Sequence, residues 1–309
     1  MGFYLAIDAG GTKTTCLLAD EARILARAST GTVKLMHVSE EEATRRLQSM
    51  FAEAAGKANV SLDRVTRTCM GLAGGNSPAV QHWAYRTVSA KVAGELLLCG
   101  DEEIALDAAF AGGPGILVIA GTGSNIIGRT ADGSLHSAGG WGPVIGDEGS
   151  GYWIGLEAIR AALHNHDRAG DGVAASRLLA EIQAQWLLKS LPELVAYANQ
   201  RTGTTPPDFA ALAPNVAGCA EPSGNRPGDA LAADILQRAG DELAAQVALV
   251  HKKMKAPAKI GLAFTGSVLS QILPVRAAMI ARLGVLVPTA NIHQAADPLE
   301  GALWLARRG

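Results

Sequence analysis

Cysteine is scarce and scattered. Cys16, Cys69, Cys99 and Cys219 stand far apart, with no CxxC pair. That spacing offers no ligand set for an iron–sulfur cluster. Three of the four lie in strand-like apolar runs and read as small buried hydrophobes, not as halves of disulfides. A charge excess is also missing. Lys and Arg number 27 against 29 Asp and Glu, a net charge of −2, so nothing in the composition marks a nucleic acid or an anionic membrane as partner. No apolar run reaches transmembrane length, and no basic segment followed by an apolar one opens the chain. The expectation is a cytoplasmic protein with reduced thiols. What is plentiful is glycine, 36 residues, and apolar side chains, 48% of the total. At 309 residues the chain exceeds the usual size of one core, so two domains are expected.

Residues 3–8 and 14–20 are apolar runs split by Gly10 and Gly11, which predicts a hairpin. Ser39, with Glu42 three residues on, predicts the start of an amphipathic helix over 40–58, with Ala43, Leu47, Met50, Phe51 and Ala54 on its apolar face. Runs at 65–71 and 95–99 read as buried strands. They alternate with helices at 79–92 and 102–111, which predicts a mixed α/β sheet. Beyond residue 150 the pattern is mostly helical: 151–164, 174–199, 208–219, 229–255, 268–282 and 297–307. Strands are expected at 259–264 and 284–287, and a surface loop at 221–229.

Two stretches share one form. "YLAIDAGGTKTTCLLAD" and, about 110 residues later, "ILVIAGTGSNIIGRT" are each an apolar strand, a turn of Gly with Thr or Ser, and a second apolar strand. The repeat implies a duplicated domain. Bare glycine backbone lets consecutive N–H groups approach an anion, and hydroxyls beside them add donors. Two such turns suit the phosphates of a nucleotide, although each alone would also serve as a plain hairpin turn. Neither is a known single-loop motif. The first lacks the Gly-Lys pair of a P-loop, and Gly121-Thr122-Gly123 is followed by Ile126 and a strand, where a dinucleotide fingerprint needs a third glycine and a helix.

Six segments then occur in order: "IDAGGTKT", "GDEEIAL", "AGTGSN", "GGWGPVIGDEGSGYWIG", "FTGSVL" and "PLEGAL", spread over residues 7–303. Together they resemble the BadF/BadG/BcrA/BcrD-type ATPase family, in its N-acetylglucosamine and glucosamine kinase branch. The resemblance implies an α/β, two-domain, duplicated ribonuclease H-like fold of the actin/hexokinase/Hsp70 kind. Its lobes would be residues 1–111, with a C-terminal helix in 293–309 packing back on them, and residues 112–292, with nucleotide and sugar in the cleft between. It implies transfer of the γ-phosphoryl of ATP to the 6-hydroxyl of an amino sugar, N-acetylglucosamine first. Glucosamine or another hexose is the alternative acceptor, and an ATPase activator or sugar sensor the alternative class. A homodimer is expected.

The same resemblance distributes roles. Asp8 would hold Mg²⁺, and Gly10, Gly11, Thr12 and Lys13 the phosphates. Thr122 and Gly123 would add the second phosphate turn, and Gly266, Ser267 and Ser270 would face the nucleotide. Asp101 would be the base that takes the sugar hydroxyl's proton. Ser124, Asn125, Gly140, Trp141, Gly142 and Asp147 would line the sugar site, Trp141 by laying its ring on the pyranose. By their positions alone, Asp101 and Asp147 also read as helix caps, Trp141 as core, and Trp153 as core. Where related kinases carry an asparagine after the first hairpin, this chain has "STGTVKLMHVSE", with Val33, Lys34 and His37. A cation there would disfavour the protonated amine of glucosamine.

Overall fold

The structure, a computed structural model, describes residues 2–74, 77–169, 176–200, 207–224, 227–257, 259–287 and 289–308, without the side chains of 289–291. The elements in chain order are β1 (Phe3–Ala9), β2 (Lys13–Ala19), β3 (Ile24–Gly31), α1 (Glu40–Ala58), β4 (Val65–Leu72), α2 (Pro78–Ser89), β5 (Glu95–Cys99) and α3 (Asp101–Phe110). Then come β6 (Gly115–Ala120), β7 (Ser124–Arg129), β8 (Leu135–Gly139), α4 (Gly151–Asp167), α5 (Leu178–Gln185), α6 (Leu191–Ala198), α7 (Ala213–Ala220) and α8 (Ala230–Lys253). Last are β9 (Ile260–Thr265), α9 (Ser267–Gln271), α10 (Leu273–Leu286), β10 (Thr289–Gln294) and α11 (Pro298–Arg308). The chain divides into two compact units. One comprises Met1–Leu117, Arg129–Ser134 and Gln294–Gly309, the other Val118–Gly128 and Leu135–His293.

In the first unit the strand order is β3-β2-β1-β4-β5. β1 runs antiparallel to β2 and parallel to β4, and β4 runs parallel to β5. Alternation along β1 sends Leu5 and Ile7 to one face, packed with Leu47, Met50, Phe51 and Trp83 of α1 and α2. Ala6 goes to the other face, against Ile104 of α3 and Leu299, Ala302 and Leu303 of α11. Asp8 shares the period of Ala6. The second sheet, read as β8-β7-β6-β9-β10, repeats the same order, as the internal repeat predicts.

Helix α1 begins as predicted: Ser39 Oγ accepts the Glu42 N–H. The Glu42 carboxylate does not complete a capping box; it pairs with Arg46 at 2.7 Å. The helix expected over 174–199 is two helices. Leu187 adopts φ 57, and Ser190 caps α6 with Pro192 in its first turn, a break that Pro192 signals in the sequence. The strand expected at 284–287 is instead the end of α10, whose buried positions Val275, Ala278, Met279 and Leu283 keep helical period, and the strand follows at β10. Residues 174 and 175 of the expected helix and 225 and 226 of the expected loop lie outside the described residues. Among the described residues no helix is long and apolar enough to cross a membrane.

Helix α11 is seated on α3 through Gly301. A Cβ there would lie 1.9 Å from the Ile104 carbonyl oxygen and 2.5 Å from the Ala108 nitrogen. At the far end of α11, Arg307 donates twice to the Asp20 carbonyl. Gly301→Ala is expected to push α11 off α3 and lower unfolding stability by about 1–3 kcal/mol, the range for overpacking. Denaturant unfolding of the two proteins measures it, and an unchanged midpoint would mean that the helices separate at no cost.

Candidate active site

Asp8 ends β1 half-buried, and the chain then turns through Gly10, Gly11 and Thr12. Gly10 is tight, with a Cβ there 3.3 Å from the Lys13 carbonyl oxygen, whereas Gly11 is not demanded by the local backbone. No positive φ occurs at 10 or 11, and a Cβ on Gly11 would meet nothing within 4 Å. The space beside Gly11 is open. Thr12 and Lys13 are exposed beside it. The turn is braced from behind: Thr32 Oγ1 donates to Gly10 O at 3.1 Å, and His37 Nδ1 lies 3.3 Å from Gly11 O.

Burial, reinforced by the charge of Asp297, pushes the Asp8 carboxyl up to about 6. The sequence reading missed Asp297. Its own carboxylate caps α11, accepting the Leu299 N–H, and pairs with Arg27 at 2.9 Å. An Asp-Pro pair opening a helix is the signal that could have found the cap, though not its neighbour Asp8. Among the described residues no three His, Cys, Asp or Glu side chains cluster as an all-protein metal site. One desolvated carboxylate with a second acid nearby fits a cation that keeps most of its waters and takes phosphate oxygens, which is the chemistry of Mg²⁺.

Asp101 is not a helix cap. The N-cap of α3 is Gly100, whose N–H is taken by Glu103 Oε1 at 3.1 Å, and Asp101 is the first helical residue, half-buried at the exit of β5. Glu102 folds back so that its carboxyl would lie 2.9–3.0 Å from a Cβ on Gly100. Burial and a hydrogen bond with Asp101 push Glu102 up to about 7. Glu102 thus holds its proton well above the usual carboxylate range, beside the Asp101 side chain.

The second unit holds the other predicted residues. Gly121 and Gly123 close the β6–β7 turn through a 2.9 Å backbone bond, with Thr122 exposed at its tip. Gly121 packs on Gly266 and Ser267, and Gly266 has φ 97 with no room for a Cβ against the Ala120 carbonyl. Ser267 is exposed, while the Ser270 hydroxyl donates to Gly266 O within α9, a helix of five residues. Ser124 Oγ donates to Glu148 O, which ties β7 to the glycine-rich loop.

That loop is held from inside. Asp147 does not cap α4; Ser150 does, accepting the Trp153 N–H. Asp147, at φ 59, accepts the Gly142 N–H at 3.1 Å and lies against Gly123. Gly139, Gly140 and Gly142 all have positive φ, and Gly140 lets the Asn125 amide close on the loop backbone. Gln246 of α8, which sequence reasoning missed, donates to Glu148 Oε2 at 3.1 Å. The Asn125 and Gln246 amide oxygens are buried without a hydrogen-bond partner among the described residues. Trp141 is 74% exposed, so it is not core, and Val144 and Ile145 beside it are 86% and 77% exposed. Trp153 is not core either; it is half-buried beneath Arg238.

A five-stranded sheet built twice in one strand order, each copy with a glycine-containing turn between its first two strands, is the architecture of the actin/hexokinase-like fold. The family follows from direct comparison: the chain belongs to the BadF/BadG/BcrA/BcrD ATPase family, whose model matches residues 5–306. A relative from Clostridium acetobutylicum named N-acetylmuramic acid/N-acetylglucosamine kinase is 33% identical over 275 residues, covering 88% of this chain and 87% of that protein. A crystal structure from Chromobacterium violaceum, assigned as an N-acetylglucosamine kinase, superposes with TM-score 0.74 at 26% identity over 99% of both chains. A ROK hexokinase from Thermus thermophilus shares the fold, with TM-score 0.56 at 18% identity over 98% of this chain and 97% of that one.

The raised Asp8 carboxyl has a cost in the unliganded protein. Its folded-state value of about 6 exceeds the ordinary 3.8, so its contribution is intact below about pH 4 and lost as pH rises through 6. Asp8→Asn is therefore expected to raise unfolding stability at pH 7.5 by about 2–3 kcal/mol and to change it little at pH 4. Denaturant titrations at the two pH values check this, and equal effects at both would remove the desolvation argument.

Proposed function

We propose that this protein transfers the γ-phosphoryl group of ATP to the 6-hydroxyl of an N-acetylated amino sugar, N-acetylglucosamine being the acceptor. The observation that carries the reading is the shared strand edge in the first unit. β1 ends in a carboxylate and a bare turn, and β5, two strands away in the same parallel set, delivers a second carboxylate. Phosphoryl transfer needs little covalent help from a protein; it needs the phosphates held, their charge offset and the acceptor hydroxyl deprotonated.

Each requirement has residues. The N–H groups of the Gly10–Thr12 turn, with Thr12 and Lys13, hold the β- and γ-phosphates, and Thr122 with Gly123 and the Gly266–Ser267 segment serve the nucleotide from the second unit. Asp8 holds Mg²⁺, which when bound offsets phosphate charge. Asp101 takes the proton of the 6-hydroxyl as that oxygen bonds to the γ-phosphorus, and the bond to the β–γ bridging oxygen breaks with ADP leaving. Trp141, Asn125 and the backbone at Gly140 and Gly142 receive the sugar, while Ser124 and Asp147 keep that loop in shape. Free thiols and a need for ATP fit the cytoplasm.

Asp101→Asn is expected to lower kcat by about 10²–10⁴-fold, because the amide cannot accept the proton. ATP binding by calorimetry should persist, since the substitution leaves the phosphate turn intact. A kcat near wild type would take Asp101 out of the mechanism. At the turn, Gly11→Val is expected to raise the KM for ATP at least tenfold while the melting temperature moves by only a degree or so, because the added side chain fills space that only a ligand would use. A variant that loses stability but keeps its KM would make the glycine structural.

A further inference from the structure

β4 and β5 pair in parallel, with Cys69 opposite Leu97 and Gly71 opposite Cys99. Cys69 and Cys99 are therefore diagonal neighbours on one face of the sheet. Their sulfurs are 3.8 Å apart, and both are free thiols. Cys99 Sγ also reaches the Met70 carbonyl oxygen at 3.8 Å. Both side chains pack in the cluster under α3 and α11, together with Ile104. The other two cysteines stand elsewhere. Cys16 belongs to the apolar cluster on the opposite face of the sheet, and Cys219 lies on α7 in the second unit.

The two thiols are not equivalent. Cys69 is wholly buried in β4, which is held by β1 on one side and β5 on the other. Cys99 is half-buried and is the last residue of β5, the outermost strand of the sheet. A disulfide needs its sulfurs about 2 Å apart, so bonding would draw these two together by nearly 2 Å. The central strand is clamped, so the movement falls on the end of β5. Asp101 follows two residues later, as the first residue of α3 beyond the cap Gly100. Helix α3 cannot simply follow β5 inward, because Ile104 already rests on β4 and leaves no room for a Cβ on Gly71. The strain is then taken up at Gly100 and Asp101. The Cys69 sulfur and burial push the Cys99 thiol up, so the pair is slow to react and stays reduced except under sustained exposure to an oxidant.

We propose that Cys69 and Cys99 are a modification site, oxidised by hydrogen peroxide to a disulfide that displaces Asp101 and stops phosphoryl transfer until a thiol reduces it. The effect on activity rests on the reading of Asp101 as the base. Cys99, the thiol nearer solvent, reacts first. Its thiolate sulfur bonds to one peroxide oxygen as the O–O bond breaks, giving the sulfenic acid, and the departing hydroxide takes up the thiol proton as water. The Cys69 sulfur then bonds to the Cys99 sulfur, and the hydroxyl leaves with the Cys69 proton as a second water. Each sulfur has lost one electron, and the peroxide has gained two.

The experiment treats the full chain with hydrogen peroxide, removes the excess with catalase, and reads intact mass, a peptide map and kinase activity, with Cys99→Ala treated in parallel. The wild-type mass is expected to fall by two hydrogens, and the map to show Cys69 joined to Cys99. In denaturant, two thiols should titrate where the untreated chain has four. The kcat is expected to fall about 10²-fold, the loss that a displacement of about 1 Å can bring, with the KM for ATP little changed because the Gly10–Thr12 turn leaves a different strand. Dithiothreitol should restore both mass and kcat. Cys99→Ala should keep its kcat through the treatment. No Cys69–Cys99 link after treatment, a complete link with full activity, or an equal loss in Cys99→Ala would each overturn the proposal. If the untreated chain phosphorylates no sugar, the kinase reading fails by itself. The modification site then stands on the mapped link, and falls without it.

Discussion

Asp8 on β1 lies beside Gly71 on β4, and Gly71 lies beside Cys99 on β5. Because the three strands run parallel, their ends emerge together on one edge, where the candidate site residues of the first unit lie. The Gly10–Thr12 turn leaves β1, Gly74 follows β4, and Asp101 follows β5. The register is set by burial on both faces. Leu5 and Ile7 must meet α1 and α2 while Ala6 meets α3 and α11, and a slip of one residue would exchange the two sets. The same constraint that satisfies the core therefore aims the Asp8 carboxylate.

That aim is costly in the absence of ligand. Asp8 is desolvated near a second acid, and Glu102 is half-buried beside Asp101. Groups held this way favour the proton or a cation over water, which suits the roles proposed for Asp8 and Asp101. Arg129, by contrast, answers Asp107 at 2.5 Å, with both side chains nearly buried, so that pair is closed on itself and serves the fold. Open and closed carboxylates thus separate the site from the scaffold within one unit.

Glycine plays two parts. At Gly139, Gly140, Gly142 and Gly266 the backbone has positive φ, and at Gly139, Gly140 and Gly266 a Cβ would also press on a neighbour, so the fold itself requires the residue. At Gly11 neither condition holds, so the fold itself does not require the residue. The glycine-rich loop of the second unit needs internal struts. Asp147, the Ser124–Glu148 bond and Gln246 supply them, and the loop then presents Trp141 to solvent.

Local signals in the chain were enough for the first hairpin, for Ser39 as a cap, for α1 and for the repeat that became two sheets of one strand order, since each depends on neighbours a few residues apart. They misplaced the strand after α10 and ran α5 and α6 together, because Gly284–Val287 has strand-like composition and the cap at Ser190 was overlooked. Other features depend on pairing across long separations, which no spacing encodes. Cys69 and Cys99 are scattered in sequence, yet parallel pairing of β4 with β5 sets their sulfurs 3.8 Å apart as free thiols. Asp297 reaches the neighbourhood of Asp8 only because α11 returns to the first sheet. Lys34 beside Gly74, and Gln246 beside Glu148, likewise arise from strand order and helix packing. Residue types and local turns were written in the sequence; which of them share a surface was decided by the register of the buried strands.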